Sequence, residues 1–291
     1  MAPSSNVVCA ASAAPKRSVS RVSSAPSSAR RNCLVTSSVP LCDHRWVSTL
    51  TRPAIRWCNS LTDLDDFALI NWAVDPGRVQ ALLPSGFTVE QREGQAMVSM
   101  VAFLDHEFHF RAAPFVRLSC GQVNYRAYVR RGDEVGVWFF GTTLDSRLVA
   151  VPRRVWQMPW YHGDMEIDST WEGDHCHSWH TTVTSRWGRA DVTLRGTGAA
   201  AARPPEFVDD DDVSAVLRNP FIGWYDRANG SGVGRYTVWH EPLALEEAEV
   251  TEAHCQVYTD LGLIEDGQLP VHAGVQRRTT FDVHTPPTRV R

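Results

Sequence analysis

Lysine is almost missing from this chain. Of its 29 basic residues 28 are arginine, and the one lysine is Lys16. After that position no side chain can form a Schiff base with a carbonyl compound. Arginine stays protonated and does not replace lysine as an amine nucleophile. GC-rich codon usage is enough to explain the bias, but the chemical consequence stands whatever its origin. No apolar run approaches the ~18 residues of a membrane helix, so no membrane role is expected. No C-x-x-C pair occurs among the seven cysteines (Cys9, Cys33, Cys42, Cys58, Cys120, Cys176 and Cys255). An odd, scattered set reads as reduced thiols in a cytoplasmic protein, not as a disulfide frame. No G-x-S-x-G elbow is present. No glycine-rich loop joins a strand to a helix, because GSGVG at 230–234 sits in a Gly/Asn turn. A net charge of −4 gives no general attraction for nucleic acid.

What is present is ordinary globular material, 43% hydrophobic and 21% charged. Residues 1–42 differ from the rest: they are rich in Ser, Ala and Arg and contain no acid. Their five cations, taken from the net −4, leave −9 on the remainder. Two readings compete for this segment, an organelle transit peptide and a disordered extension. The expected organisation is a disordered leader over 1–56 and a single β-rich domain over 57–291.

Within the body, DFALINWAV (66–74) reads as a strand. Asp75 caps a short helix, PGRVQALL, with Pro76 at its first position. Strands follow at 95–110, 120–130 and 135–145, the last two as a hairpin, and at 165–172, 175–186, 189–198 and 235–245. A short helix begins after Asp209–Asp212, whose carboxylates favour a helix N-terminus. A helical or irregular piece is expected over 253–263. Strand after strand with few helices predicts α+β architecture, mostly antiparallel β, with the sheet closed or folded on itself.

Four stretches carry candidate chemistry. In VNYRAYVR (123–130), Asn124, Arg126 and Tyr128 share one strand face and Val123, Tyr125, Ala127 and Val129 the other. The polar face points either into a cavity or to solvent. VPRRVWQMPWYHGDM (151–165) joins Arg153 and Arg154 to Trp156, Trp160 and Tyr161. On a strand only one of the two arginines could enter a cavity. There it would meet an anion with a bidentate fork or pair internally with Asp145 or Asp164. The aromatic trio reads first as core. DHCHSWH (174–180) puts at most two metal donors on a face, too few for a zinc site, so no metal and no cofactor are expected. In EAEVTE, Glu247 and Glu249 share a face, and Glu249 facing an arginine would be an acid/base group.

Taken with DPGRVQALLPSGF (75–87), GQAMVSMVAF (94–103), GVWFFGTTLDS (136–146) and WHEPLALEEAEV (239–250), these motifs resemble the YqjF-like family. That family, domain of unknown function 2071, lies in the acetoacetate-decarboxylase-like superfamily. The likeness spans about residues 57–285. It implies one β-rich domain around an enclosed ligand cavity. It also aligns Val151-Pro152-Arg153-Arg154 with the superfamily's lysine pair, so decarboxylation through a Schiff base is disfavoured a second time. The reading implied is a small-molecule protein binding an organic acid or carbonyl metabolite, as a binder or as an enzyme without a Schiff-base lysine. Asn124, Arg126, Tyr128, Arg153 and Tyr161 would hold the ligand and Glu249 would exchange protons. Two alternatives stay open, a non-catalytic binding or assembly module with structural arginines, and a homo-oligomer.

Overall fold

The computed structural model describes residues 52–290. The expected leader lies outside the described residues up to position 51. Arg52, still within that expected leader, ion-pairs with Asp282 and lies 4.3 Å from the Trp239 ring centroid.

The chain opens with strand β1 (Ser60–Val74), helix α1 (Pro76–Leu82) and two short strands, β2 (Thr88–Val89) and β3 (Gln91–Arg92). Three long strands follow: β4 (Gln95–Phe110), β5 (Leu118–Arg131) and β6 (Glu134–Leu144). Helix α2 (Ala150–Trp156) leads to β7 (Trp160–His162), β8 (Asp164–Glu172), β9 (His175–Ser185) and β10 (Gly188–Ala200). Helix α3 (Asp210–Val213) runs into one wide turn over Ser214–Arg218. Next come β11 (Ile222–Asp226), β12 (Val233–His240), β13 (Glu246–Cys255), helix α4 (Gln256–Asp260) and β14 (His272–Arg289).

Local chemistry explains the helix starts. Asp75 accepts the Arg78 amide at 2.9 Å with Pro76 at the first helical position. Asp209 accepts the Asp212 amide at 2.8 Å in the same way.

Seven strands close into a barrel in the order β1-β4-β5-β6-β11-β12-β14, and β14 returns to β1. Every pairing in the ring is antiparallel except β6 with β11. β14 also carries an arm. Its first part pairs with β13, and β13-β10-β9-β8 continue the sheet. The arm covers the outside of the barrel. Outward-facing Ile70, Trp72, Met100, Val123, Tyr125 and Ala127 pack in one cluster with arm residues such as Trp179, Val183, Val192 and Tyr258.

Three local expectations change. β14 was not anticipated, because its polar Arg277–Thr280 run and Pro286-Pro287 break the alternation; the neighbouring strands hold it nonetheless. Residues 151–156, whose arginines were weighed for the case of a strand, are helical. β1 begins at Ser60, six residues before the expected strand.

Candidate functional site: the barrel lumen

The lumen holds a cavity of ≈ 300 Å³. β5 shows how the sequence builds it. Its apolar positions turn outward against the arm, so its polar positions turn inward: Cys120, Gln122, Asn124 and Arg126 all line the cavity. On β4 the odd positions Val101, Phe103 and Asp105 do the same, and on β12 Tyr236, Val238 and His240.

Arg126 sits at a β-bulge, where the β5–β6 register shifts between Tyr125 and Arg126. A bulge re-aims a side chain and frees backbone groups. The Tyr258 hydroxyl takes these up: it accepts the Arg126 amide at 3.0 Å and donates to the Ser99 carbonyl at 2.6 Å. The Arg126 Nε donates to Ser99 Oγ at 2.8 Å. Its guanidinium carbon lies 5.6 Å from the Tyr128 ring centroid. Among the described residues no carboxylate pairs with it. Asn124 is 7% exposed. Its Oδ1 accepts Gln122 at 3.1 Å and Thr142 at 2.9 Å, while its amide nitrogen donates to no group among the described residues.

Three more polar residues share the lumen. Burial holds the Tyr236 hydroxyl above its usual range. Burial lowers His240 to about 4, and the Arg126 charge pushes the same way. The imidazole is therefore neutral near pH 7. Its Nδ1 faces the Glu241 carbonyl at 2.8 Å, which leaves Nε2 as the acceptor. Its ring stacks on Phe281 at 4.1 Å. Arg218, also lining the cavity, donates to the Ala201 carbonyl at 2.7 Å, and its buried Nε has no partner among the described residues. Burial lowers its pKa, with Asp210 opposing.

Farther along the lumen, Asp105 accepts the Thr62 hydroxyl at 2.9 Å. Burial raises its carboxyl to about 7; the Asp145 charge adds to this and the Thr62 bond opposes it. A carboxyl in this state can either donate or accept a proton at neutral pH. Burial beside Asp105 and Asp145 pushes the Cys120 thiol up to about 12, so it is no ready nucleophile.

The expected site residues divide. Asn124 and Arg126 face the cavity. Tyr128 lies beneath Arg126, its hydroxyl donating to Asn71 at 3.0 Å. Arg153 and Tyr161 are not among the lining residues. Because residues 150–156 are a helix, Arg153 projects outward, exposed, onto one face of Tyr161 at 4.1 Å, and Arg186 covers the other at 4.0 Å. Neither Asp145 nor Asp164 pairs with it; Asp145 accepts the Gly121 amide at 2.9 Å. Trp156 and Trp160 do line the cavity. Glu249 is exposed on the arm and pairs with Arg195, away from both Arg126 and Arg153. Of the histidine stretch, His175 pairs with Glu246 at 2.7 Å and His180 with Asp191 at 3.1 Å. No group of three or more metal donors converges among the described residues. None of their helices is long and apolar enough to cross a membrane.

Asp105, His240, Tyr236 and Arg218 escaped the sequence reading. Asp105 left one signal: an acid in phase with the apolar Val101 and Phe103 on β4. His240 read as a lone histidine, and Arg218 belongs to a turn without periodicity.

Solved structures of acetoacetate-decarboxylase-like proteins share this fold. An acetoacetate decarboxylase-like enzyme from Sphingomonas wittichii RW1 is similar with a TM-score of 0.56 at 13% identity, over 84% of this chain and 98% of that one. Acetoacetate decarboxylase from Legionella pneumophila subsp. pneumophila str. Philadelphia 1 gives 0.53 at 13%, over 83% and 93%. The enduracididine biosynthesis enzyme MppR complexed with pyruvate gives 0.51 at 11%, over 85% and 93%. The chain itself belongs to the domain of unknown function 2071 family, described as an uncharacterized conserved protein, whose profile matches residues 62–276. It is also 29% identical over 107 residues to the uncharacterized protein YqjF of Bacillus subtilis (strain 168). That match spans 36% of this chain and 44% of the relative.

Proposed function

We propose that this protein binds a small organic acid or carbonyl metabolite in the barrel lumen, with Arg126 and Asn124 as the polar clamp. One observation carries the reading: Arg126 faces the cavity with no carboxylate partner among the described residues. A guanidinium withdrawn from water is costly unless an anion meets it. A ligand carboxylate supplies that anion through charge-assisted hydrogen bonds, and the Asn124 amide adds a donor. The pyruvate complex of MppR, similar in fold, supports a small acid as the ligand class. Any chemistry would run without a Schiff base, since the described body has no lysine. Proton exchange would then fall to Asp105 or to His240 Nε2, the titratable groups that share the lumen with Arg126.

A thermal-shift screen of keto acids, hydroxy acids and acyl phosphates tests this. A ligand at a hundred times its Kd stabilises the folded state by about 2.7 kcal/mol. Arg126→Met should abolish the shift and Arg153→Ala should keep it. Equal responses in the two variants would remove Arg126 from the clamp.

A further inference from the structure

We propose that the ligand is an amphipathic monocarboxylate, its head on Arg126 and its hydrocarbon body filling the lumen toward the mouth. This rests on the reading of Arg126 as the acid anchor. The argument follows the cavity along β5. Leu118, partly exposed, lies at one end of the inward-facing row and Arg126 at the other. Eight residues of strand separate them, roughly 26 Å of path at ~3.3 Å per residue. The clamp therefore lies deep, well away from the solvent-facing end.

Beside the polar row of β5, most of the wall between is hydrocarbon. Leu64, Phe103, Phe139, Leu144, Phe281 and Val283 face the lumen from four strands. A polyhydroxylated or phosphorylated body would leave its polar groups unpaired against them. A hydrocarbon body gains from the same surface. The mouth continues the pattern. Leu148 and Val151 line the cavity yet are 52% and 58% exposed, and Val155, one turn further along the helix, is 64% exposed. Apolar side chains held in water around a cavity mouth suit a ligand that enters tail and head together.

The lumen also argues for a single negative charge. Asp105 lies on the mouth side of Arg126: its β5 partner is Cys120, whereas the β5 partner of Ser99 is Arg126. Asp145 is close enough to perturb it. A second carboxylate placed on the mouth side of Arg126 would meet these acids. The volume sets the size: ≈ 300 Å³ holds on the order of ten groups the size of a water molecule, at ~30 Å³ each.

The test is calorimetric titration of the full chain with straight-chain monocarboxylates from butanoate to dodecanoate, below their micelle concentrations. Decanol, succinate and pyruvate complete the set. The affinity should rise about fourfold per methylene, the value of burying one CH2, and stop rising near ten carbons. Decanoate should bind at least tenfold more tightly than decanol, and Arg126→Met should erase that gap. If pyruvate and butanoate bind as tightly as decanoate and still need Arg126, the amphipathic class is overturned and the acid anchor stands. Decanol matching decanoate would overturn the anchor and this inference with it. Absence of binding by every acid would overturn both. The acid–alcohol comparison is made on the wild-type chain, so it holds even if a variant fails to fold.

Discussion

Arg126 and Arg130 lie four residues apart on β5, with Tyr128 between them on the same side of the strand. Arg130 donates to Glu90 at 2.7 Å; Glu90 also accepts Arg92 at 2.9 Å, and Arg92 reaches Asp212 at 2.8 Å. Protein carboxylates meet those charges and bind β2, β3, β5 and the start of α3 into one edge of the barrel. One turn of the lumen away, Arg126 has a hydroxyl and an aromatic face but no carboxylate. A third arginine, Arg153, lies outside in water against Tyr161. The same side chain thus serves as cross-link, as exposed charge and as a half-buried cation with no carboxylate partner among the described residues. Only the third arrangement costs the apo protein stability, and such costs concentrate at functional sites.

The largest test of this contrast concerns the lumen's acid. Asp105 has its pKa raised from 3.8 to about 7, so its contribution to stability is complete below pH 4 and is lost as pH rises through 7. Asp105→Asn should remove that loss, a gap on the order of 4 kcal/mol at pH 8, read by urea denaturation across pH. His240 and His272 act in the opposite sense. Both are lowered to about 4, so their contribution is present above pH 6.5 and is lost as pH falls through 4. Wild type should therefore be most stable at an intermediate pH, whereas the Asp105→Asn profile should rise and then stay level. An alkaline fall of the same size in the variant would place the titrating group elsewhere.

Glu90→Gln comes next. Removing one partner from a buried ion cluster leaves charge uncompensated, and about 3 kcal/mol of stability should go. Arg126→Met should do the reverse, raising the ligand-free melting temperature by the equivalent of about 1–2 kcal/mol, because it removes a cation that no carboxylate among the described residues neutralises. Destabilisation by that substitution would mean that Arg126 serves the fold after all. Smallest are Arg153→Ala and Glu249→Gln. Both alter exposed groups and should stay within ~0.5 kcal/mol in denaturant titration.

Much of the fold was legible in the sequence for local reasons. Helix caps at Asp75 and Asp209 and the alternation in β4, β5, β6, β9 and β10 act over neighbouring residues, and they appear where those residues predict them. The site was half legible. Alternation grouped Asn124, Arg126 and Tyr128 on one face but could not say whether that face met water or a lumen. Arg153 was weighed only for the case of a strand, whereas Ala150–Trp156 form a helix that leaves it outside the cavity lining. Once the arm strands cover the apolar side of β5, the polar side has only the lumen left.

The sequence by itself determined the chemistry that is unavailable: no lysine follows Lys16, so no Schiff base can form in the body. It also determined which residues alternate and where helices start, because these depend on nearest neighbours. The tertiary structure decided which face is inside, that Arg126 meets the lumen with no carboxylate partner among the described residues, and that Asp105, Tyr236, His240 and Arg218 share the lumen with it. Those facts follow from barrel closure through β14 and from the wrapping of the arm, contacts between residues as far apart as Thr62 and Phe281. No local pattern encodes them, since an alternating strand is compatible with either face being buried.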